Sequence, residues 1–247
     1  MTFEPITQRS VPEDVFAQIV EGVLSGELAV GQKLPSERDL AQMLGVSRPT
    51  VREALKRVAA AGLVTIRQGE GARVRDLARS GGLDLLPRLL IRGGSLVPGV
   101  ARSIIEARAA VGPKVADLAA RRAGPENIAA LRATLDDLAA EPDPIGQQVV
   151  ALEFWSLVID AADSIAFRLM YNSLRAAYEP AVPALAAVLE PEVGNIDGYR
   201  AVVDAIAAHR PEHAEAAAQA LITPATTALL ALCDVLEAEE RDPGETT

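Results

Sequence analysis

Three cationic side chains recur at a spacing of four residues in the segment GVSRPTVREALKRV, residues 45–58. They are Arg48, Arg52 and Lys56, and residues four apart lie on the same face of an α-helix. The pattern therefore predicts a helix with a positively charged stripe. Such a stripe can contact the phosphates or the guanine edges of DNA, and it can also be an ordinary solvated helix face. The neighbouring sequence distinguishes these two interpretations.

Charge is distributed unevenly along the chain. The 247 residues carry a formal net charge of −10. Up to Asp76 there are 10 Lys and Arg residues and 10 Asp and Glu residues, so the rest of the chain carries the whole negative excess. Between Lys33 and Arg75, however, basic residues outnumber acidic ones by 9 to 4. A local basic surface can bind DNA although the whole protein is acidic, because distant charges are screened. The pattern predicts one basic unit and one acidic unit.

The residues before the cationic stripe predict two helices. In VPEDVFAQIVEGVLSG, residues 11–26, apolar residues recur at helical spacing. In LPSERDLAQMLG, residues 34–45, Ser36 is a candidate N-cap, Asp39 follows three residues later, and Gly45 ends the helix. Only two residues separate this helix from the striped one. Two short helices joined by so tight a turn form a helix-turn-helix.

After the striped helix the pattern changes from helical to alternating. In GLVTIRQGEGARVRD, residues 62–76, Val64 and Ile66 alternate with polar residues, a Gly-Glu-Gly sequence turns the chain, and Val74 lies between two arginines. This pattern predicts a β-hairpin with basic edges, a wing. In a winged helix-turn-helix the second helix enters the major groove of DNA, and the wing follows the backbone or the minor groove. The cationic stripe is therefore predicted to be a DNA-reading face.

The segment KLPSERDLAQMLGVSRPTVREALKRVAAAGLVTIRQGEGARV closely resembles the winged-helix domain of the GntR family of bacterial transcription regulators. The resemblance covers about residues 11–76. It implies that residues 1–76 form a winged helix-turn-helix of three helices and a β-hairpin wing. It also implies contacts with operator bases and phosphates from Arg38, Ser47, Arg48, Thr50 and Arg52. Gly69 stands at the wing tip that enters the minor groove, and Gln68 occupies a position that is often His in the family.

The rest of the chain has the composition and periodicity of helices. Residues 77–95 are predicted to form a linker and connecting helix, residues 96–240 an all-α bundle of six or seven helices, and residues 241–247 a flexible tail. A long helix in this part is expected to be interrupted at Gly112 and Pro113. The predicted fold class is therefore mainly α. A helical bundle can enclose a cavity, and we therefore expect this bundle to bind a ligand. We also expect it to be the dimerisation domain.

The segments EARAAVGP, ALEFWSLVIDAADS and YRAVVDAIAA resemble the effector domains of the FadR subfamily of GntR proteins. Many of these domains hold a divalent metal through one carboxylate and three histidines. Those four positions fall here on Ala151, Trp155, Tyr199 and Leu221. The chain has only two histidines, His209 and His213, so a three-histidine site cannot form within one chain. We therefore expect no metal and no cofactor.

A metal-free effector domain of this kind points to an apolar ligand. The acyl-CoA-responsive FadR proteins, which regulate fatty-acid metabolism, also lack the metal, and SGGLDLL and YNSLRAAYE are similar to local features of theirs. The resemblance makes seven residues candidates for the ligand site: Arg108, Trp155, Tyr171, Asn172, Tyr178, Tyr199 and Leu221. The alternative for each is an ordinary core position. The acidity of this half disfavours the phosphates of CoA, and a free fatty acid would need fewer cations.

Together these patterns predict a homodimeric transcription regulator that binds a palindromic operator in double-stranded DNA. We expect a repressor of lipid-metabolism genes released by a long-chain acyl-CoA or fatty acid. The alternatives are a regulator sensing another small metabolite and a ligandless DNA-binding dimer with a sealed bundle. An enzyme is not expected, because Lys114 is the only lysine beyond residue 76 and no nucleophile–base–carboxylate set is evident. The single cysteine, Cys233, favours the reducing cytoplasm, and no signal peptide or membrane segment is expected.

Overall fold

The computed structural model describes residues 11–67, 71–92 and 94–241. The chain folds into two compact units that divide between Leu85 and Leu86. This division lies inside the segment 77–95, for which the sequence predicted a linker and connecting helix.

The N-terminal unit contains a helix-turn-helix and a β-hairpin. Its elements are α1 (Val11–Leu24), α2 (Glu37–Leu44), α3 (Arg48–Ala60), β1 (Val64–Arg67), β2 (Gly71–Val74), α4 (Leu77–Ser80) and a 3₁₀ turn at Leu83–Leu85. The two strands are antiparallel, with Val64 opposite Val74. The predicted winged helix-turn-helix is confirmed.

Side-chain caps fix where α2 and α3 begin. The Ser36 hydroxyl accepts a hydrogen bond of 3.2 Å from the Asp39 backbone N–H, and the Ser47 hydroxyl accepts one of 3.3 Å from the Thr50 N–H. Both caps satisfy backbone donors that the first turn of a helix leaves without an intrahelical acceptor. Gly45 ends α2 at φ 66°, a left-handed conformation that glycine adopts without steric cost. The local sequence therefore determines where α2 begins and ends and where α3 begins.

A small apolar core holds α3 in place and anchors the wing. Val51, Leu55 and Val58 of α3 are buried where this helix packs on α1. The segment before α2 extends the hairpin, because the Leu34 N–H donates to the Ala72 carbonyl at 2.9 Å. The base of the wing is thereby bonded to the chain that leads into the helix-turn-helix.

The C-terminal unit is a helical bundle. It begins with α5 (Leu86–Leu90) and a hairpin of two-residue strands, β3 (Ile91–Arg92) and β4 (Ser95–Leu96), which the sequence analysis missed. Seven longer helices follow in the described part of this unit: α6 (Pro98–Arg122), α7 (Pro125–Ala140), α8 (Pro144–Ala161), α9 (Ile165–Tyr178), α10 (Val182–Val193), α11 (Ile196–Ala207) and α12 (Pro211–Arg241). The predicted mainly α fold with a bundle of six or seven helices is confirmed.

The expected interruption of the long helix at Gly112 and Pro113 is wrong. Helix α6 is continuous, with Pro113 inside it. Proline removes one intrahelical hydrogen bond, but α6 packs along α12 at this point and before it. Gly112 lies against Ile222 of α12, and near the start of α6 Arg102 forms an ion pair of 2.6 Å with Asp234. Packing along the partner helix therefore outweighs the local preference for a break.

Helix α12 is the longest helix of the bundle. Its segment Pro211–Glu239 is long and apolar enough to cross a membrane by length and composition, and it is the only such segment among the described residues. The helix packs against α6, α10 and α11 and supplies Leu221, Ala225 and Cys233 to the core. Length and composition alone are weak evidence for a membrane span.

Candidate functional site

The start of α3 exposes hydrogen-bonding and cationic groups together. Arg48 is the first residue of α3 and is exposed, and the hydroxyls of Ser47 and Thr50 lie 2.8 Å apart beside it. Arg38, near the start of α2, exposes 80% of its side chain, and its Nε lies 3.6 Å from the Asp39 carboxylate. Hydroxyls, guanidinium groups and a helix N-terminus are the groups that proteins use to contact DNA phosphates and base edges.

Arg52 lies one turn further along α3 and is held by Glu37 of α2. Its Nη2 donates to Glu37 Oε2 at 2.8 Å, and its Nε lies 3.1 Å from both carboxylate oxygens. The hydrogen bond from Arg52 lowers the pKa of Glu37, so the carboxylate remains ionised. About half of the Arg52 side chain, 53%, stays exposed. The guanidinium is therefore held in one orientation and still faces solvent.

Of the seven residues predicted to contact DNA, five lie in this region of α2 and α3. The other two, Gln68 and Gly69, lie outside the described residues. Lys56, the third cation of the stripe, is exposed. The next residue, Arg57, forms an ion pair of 2.5 Å with Glu13 of α1, and its guanidinium carbon lies 4.8 Å from the centroid of the Phe16 ring. Arg57 therefore joins α3 to α1. It lies outside the four-residue spacing of Arg48, Arg52 and Lys56, so it is not part of the cationic stripe.

The C-terminal unit contains an apolar cavity of about 540 Å³. Side chains of α5, α6, α8, α9, α10 and α12 line it, and most of them are apolar: Leu90, Ile105, Ile159, Met170, Leu189 and Leu229 are examples. Ligand sites for small molecules typically have volumes of roughly 300–1,000 Å³ and mostly apolar walls. The bundle is therefore not sealed, which disfavours the ligandless alternative.

Two tyrosine side chains of the cavity wall bind other groups of the protein. The Tyr178 hydroxyl donates to Gln148 Oε1 at 2.6 Å, and the Tyr171 hydroxyl donates to the Leu152 carbonyl. Burial raises the pKa of both phenols above the ordinary value, so both remain protonated donors. These bonds hold the two rings in fixed positions against the cavity.

Charged side chains of the cavity wall form ion pairs. Nη2 of Arg108, on α6, donates to Oε1 of Glu192, on α10, and Glu192 is only 2% exposed. Nε of Arg175, on α9, donates to the Glu179 carboxylate at 2.6 Å, and its guanidinium also lies 3.6 Å from Glu153. A carboxylate therefore accompanies each of these two arginines.

The seven predicted ligand residues divide into two groups. Arg108, Trp155, Tyr171 and Tyr178 line the cavity. Asn172 is exposed on α9 outside the lining, and Tyr199 and Leu221 lie in the core behind it. Two polar lining residues were missed, Gln148 and Glu192. The sequence analysis looked for cations and aromatic rings, and a buried acidic residue in an acidic half of the chain gives no distinctive signal.

Two of the four positions where related domains carry metal ligands line the cavity, Ala151 and Trp155, and two lie in the core behind it, Tyr199 and Leu221. Ala151 and Trp155 lie one turn apart on α8, with Tyr199 on α11 and Leu221 on α12. The ring of Phe154 contacts both Trp155 and Tyr199 edge to face, at centroid distances of 5.9 and 4.8 Å. Among the described residues no group of three or more His, Cys, Asp or Glu side chains could hold a metal ion. Aromatic and aliphatic packing takes up this part of the bundle.

Both units of the chain match known protein families. Residues 12–74 match the family described as bacterial regulatory proteins, gntR family, and residues 103–223 match the FCD domain. The chain is 53% identical over 232 residues to the HTH-type transcriptional regulator Mce2R of Mycobacterium tuberculosis, covering 94% of this chain and 97% of that protein.

Two more distant similarities were also found. The chain is 32% identical over 95 residues to the fatty acid metabolism regulator protein of Vibrio cholerae, which covers 38% of this chain and 34% of that protein. A solved structure described as "Lar controls the expression of the Listeria monocytogenes agr system and mediates virulence" has a TM-score of 0.58 at 16% identity, covering 92% of this chain and all of that one. This second likeness concerns the fold alone.

The DNA-binding fold and the helical domain with its cavity define a transcription regulator with a ligand-binding domain. More specifically, the chain belongs to the GntR family of bacterial transcription regulators, in the group whose C-terminal domain is an FCD domain.

Proposed function

We propose that this protein is a homodimeric, cytoplasmic repressor of lipid-metabolism genes that leaves its operator when a long-chain acyl ligand fills the cavity. The observation that carries the proposal is the apolar cavity of about 540 Å³ inside the FCD domain of a GntR regulator. Burying an aliphatic chain in such a cavity contributes about 0.8 kcal/mol per methylene group. An acyl chain therefore gains more there than a small polar metabolite.

At the DNA end, Arg38, Arg48 and Arg52 are proposed to contact bases and phosphates, with Ser47 and Thr50 positioned by the start of α3. Gln68 and Gly69 are proposed to contact the minor groove. In a dimer the two copies of α3 follow a two-fold axis, so the matching operator is a palindrome. The acidic charge of the rest of the chain opposes binding only weakly at physiological salt, because charges beyond about 8 Å are screened.

Two further observations support the lipid assignment. Trp155 and the tyrosines Tyr171 and Tyr178 give the wall an aromatic part next to its aliphatic part. One of the more distant relatives is named as a fatty acid metabolism regulator. The second candidate is a regulator that senses a different apolar metabolite, and the same cavity supports it.

The mechanism follows from a difference in affinity. A ligand lowers DNA occupancy only if it binds more tightly to a conformation in which the paired winged helices do not fit the operator. The ligand is therefore proposed to favour that conformation by its contacts with the cavity wall.

The test is fluorescence anisotropy of the purified protein on labelled DNA from its own upstream region. Palmitoyl-CoA is titrated at fixed salt, because phosphate contacts make affinity strongly salt-dependent. Saturable release by palmitoyl-CoA, with free CoA inactive, supports the proposal. Specific DNA binding that acyl-CoA and palmitate leave unchanged would retain the regulator and reject the lipid effector.

A further inference from the structure

We propose that Glu192 is a specificity residue, which pairs with Arg108 so that the cavity accepts an acyl ligand through an uncharged group and rejects its carboxylate form. The preferred ligands are then an acyl thioester, an ester or an alcohol. This inference rests on the proposed function, because it assumes that an aliphatic ligand fills the cavity.

The Arg108–Glu192 pair lies at the cavity wall and joins two helices. Both residues line the cavity, and Glu192 accepts a hydrogen bond from Arg108 through Oε1. Glu192 is almost completely buried, whereas about a third of the Arg108 side chain, 32%, stays accessible. Since both residues line the cavity, an incoming ligand meets this part of the wall with its two charges already paired.

Some polar side-chain atoms of the ion pair and of its surroundings have no hydrogen-bond partner. Within the described part of the chain, four buried side-chain atoms have no hydrogen-bond partner: Arg108 Nη1, Glu192 Oε2, the indole nitrogen of Trp155 and the hydroxyl of Tyr199. Buried polar atoms are normally satisfied, and those that are not call for an explanation such as a water or a ligand.

The balance of charge at the wall excludes a second anion. Among the described lining residues the charged side chains are Arg108, Arg175 and Glu192. Arg108 has Glu192 as its partner, and Arg175 has Glu179 and Glu153. A ligand carboxylate therefore finds each arginine already neutralised.

A carboxylate could bind only by competing with Glu192 for Arg108. That competition would place two carboxylates against one guanidinium in apolar surroundings, where an uncompensated buried charge is strongly unfavourable. An uncharged ligand group leaves the ion pair intact. The phosphates of an acyl-CoA would remain outside the cavity. The negative charge of the C-terminal half would then repel them less than it would inside the cavity.

Trp155 provides the measurement, because it is the single tryptophan of the chain and it lines the cavity. Its fluorescence is followed while dodecan-1-ol, methyl dodecanoate or dodecanoate is added to the full-length protein at about pH 8, where a fatty acid is ionised in water. For the wild type we expect the alcohol and the ester to bind about tenfold or more tightly than the carboxylate.

The variant Glu192→Gln separates charge from shape. It keeps an oxygen that can accept from Arg108 but removes the competing negative charge, so dodecanoate binding should strengthen by about tenfold while dodecan-1-ol binding changes little. The control is Glu190→Gln, the same substitution at an exposed position two residues earlier on α10. It should retain the wild-type preference.

The outcomes separate this inference from the proposed function. Dodecanoate binding to the wild type as tightly as the alcohol would overturn the role of Glu192 and leave the lipid-responsive regulator standing, and this comparison needs no variant. A folded Glu192→Gln protein that gains nothing for dodecanoate would overturn it as well. If none of the three probes changes Trp155 fluorescence or competes with a neutral apolar dye, the aliphatic cavity ligand is rejected, and this inference with it.

Discussion

The Glu37 carboxylate holds the Arg52 guanidinium across the turn of the helix-turn-helix, with the Arg52 Nη2 to Glu37 Oε2 distance at 2.8 Å. The two residues are 15 positions apart in sequence and lie on different helices. Arg52 contacts both carboxylate oxygens through two nitrogens, and such two-point pairing fixes the orientation of a guanidinium better than a single contact does. A residue proposed to contact DNA is thus oriented, and partly neutralised, before DNA arrives.

Removing the Glu37 charge is expected to loosen the specificity of DNA binding. In Glu37→Gln, Arg52 carries its full charge without an ionised partner. The affinity for non-operator DNA should therefore rise several-fold. The slope of log affinity against log salt concentration should steepen by up to the equivalent of about one phosphate contact. Anisotropy titrations on operator and random DNA at several salt concentrations measure both effects. Glu53→Gln, an equal charge change at an exposed position on α3, is the control. Identical shifts for the two variants would show a bulk charge effect and contradict the orienting role of Glu37.

Arg48→Ala tests the predicted readout of a base. If Arg48 pairs with a guanine, its removal costs about 1–3 kcal/mol in operator binding and much less on random DNA. The control is Arg132→Ala, which removes the same charge from an exposed position on α7 of the other unit. An equal loss on operator and random DNA would assign Arg48 to phosphate contact instead.

Two glycines of the DNA-binding unit should respond very differently to alanine. Gly45 and Gly62 both have positive φ, 66° and 79°. A Cβ on Gly45 would meet nothing within 4 Å, whereas one on Gly62 would lie 2.1 Å from the backbone oxygen of Ser80. Gly45→Ala should therefore cost about 1–2 kcal/mol for the left-handed conformation alone. Gly62→Ala should lower the free energy of unfolding by clearly more, as measured by urea denaturation. Equal losses for the two variants would show that the backbone at Ser80 moves away from residue 62 at no cost.

Stability in acid should depend on Asp117 of α6. Hydrogen bonds from Arg121 and then Lys114 lower the pKa of this carboxyl from 3.8 to about 2. Since the folded value lies below the unfolded one, the stabilisation is complete above about pH 4 and is lost as the pH falls toward 2. Asp117→Asn should therefore be less stable than the wild type by about 1–2 kcal/mol near neutral pH, because both cations are half exposed and screened.

The difference between the two proteins should shrink as the pH falls through that window in denaturation experiments. Asp137→Asn, an exposed position on α7, provides the control and should show no such trend. A difference between Asp117→Asn and the wild type that stays constant from neutral pH to about pH 2 would rule out the ion pairs as its source.

The sequence predicted those parts of the fold that depend on local signals. Ser36 identified the start of α2, and Gly45 identified its end and the turn, because caps and left-handed glycines act within a few residues. The four-residue spacing of Arg48 and Arg52 likewise identified their exposed face without any tertiary information. The glutamate that holds Arg52 could not be predicted in this way, because its contact depends on the crossing of two helices.

Tertiary packing decided the features that the sequence analysis missed. Pro113 predicts a break when read locally, and packing along α12 overrides it. The ligand candidates Tyr199 and Leu221 have the right residue types, but helix rotation places them behind the cavity wall and places Glu192 at it. Rotations of this kind are set by the whole core, so spacing along one helix does not reveal them.

The most direct test of the whole account measures the coupling between the two units in both directions. Operator affinity is determined by anisotropy with and without saturating palmitoyl-CoA, and palmitoyl-CoA affinity is determined from Trp155 fluorescence with and without saturating operator DNA. For two linked sites the two ratios must be equal. We predict equal ratios of about tenfold or more, with each ligand weakening the other. Ligand binding at Trp155 that saturates but is unaffected by operator DNA would contradict a regulator controlled through this cavity.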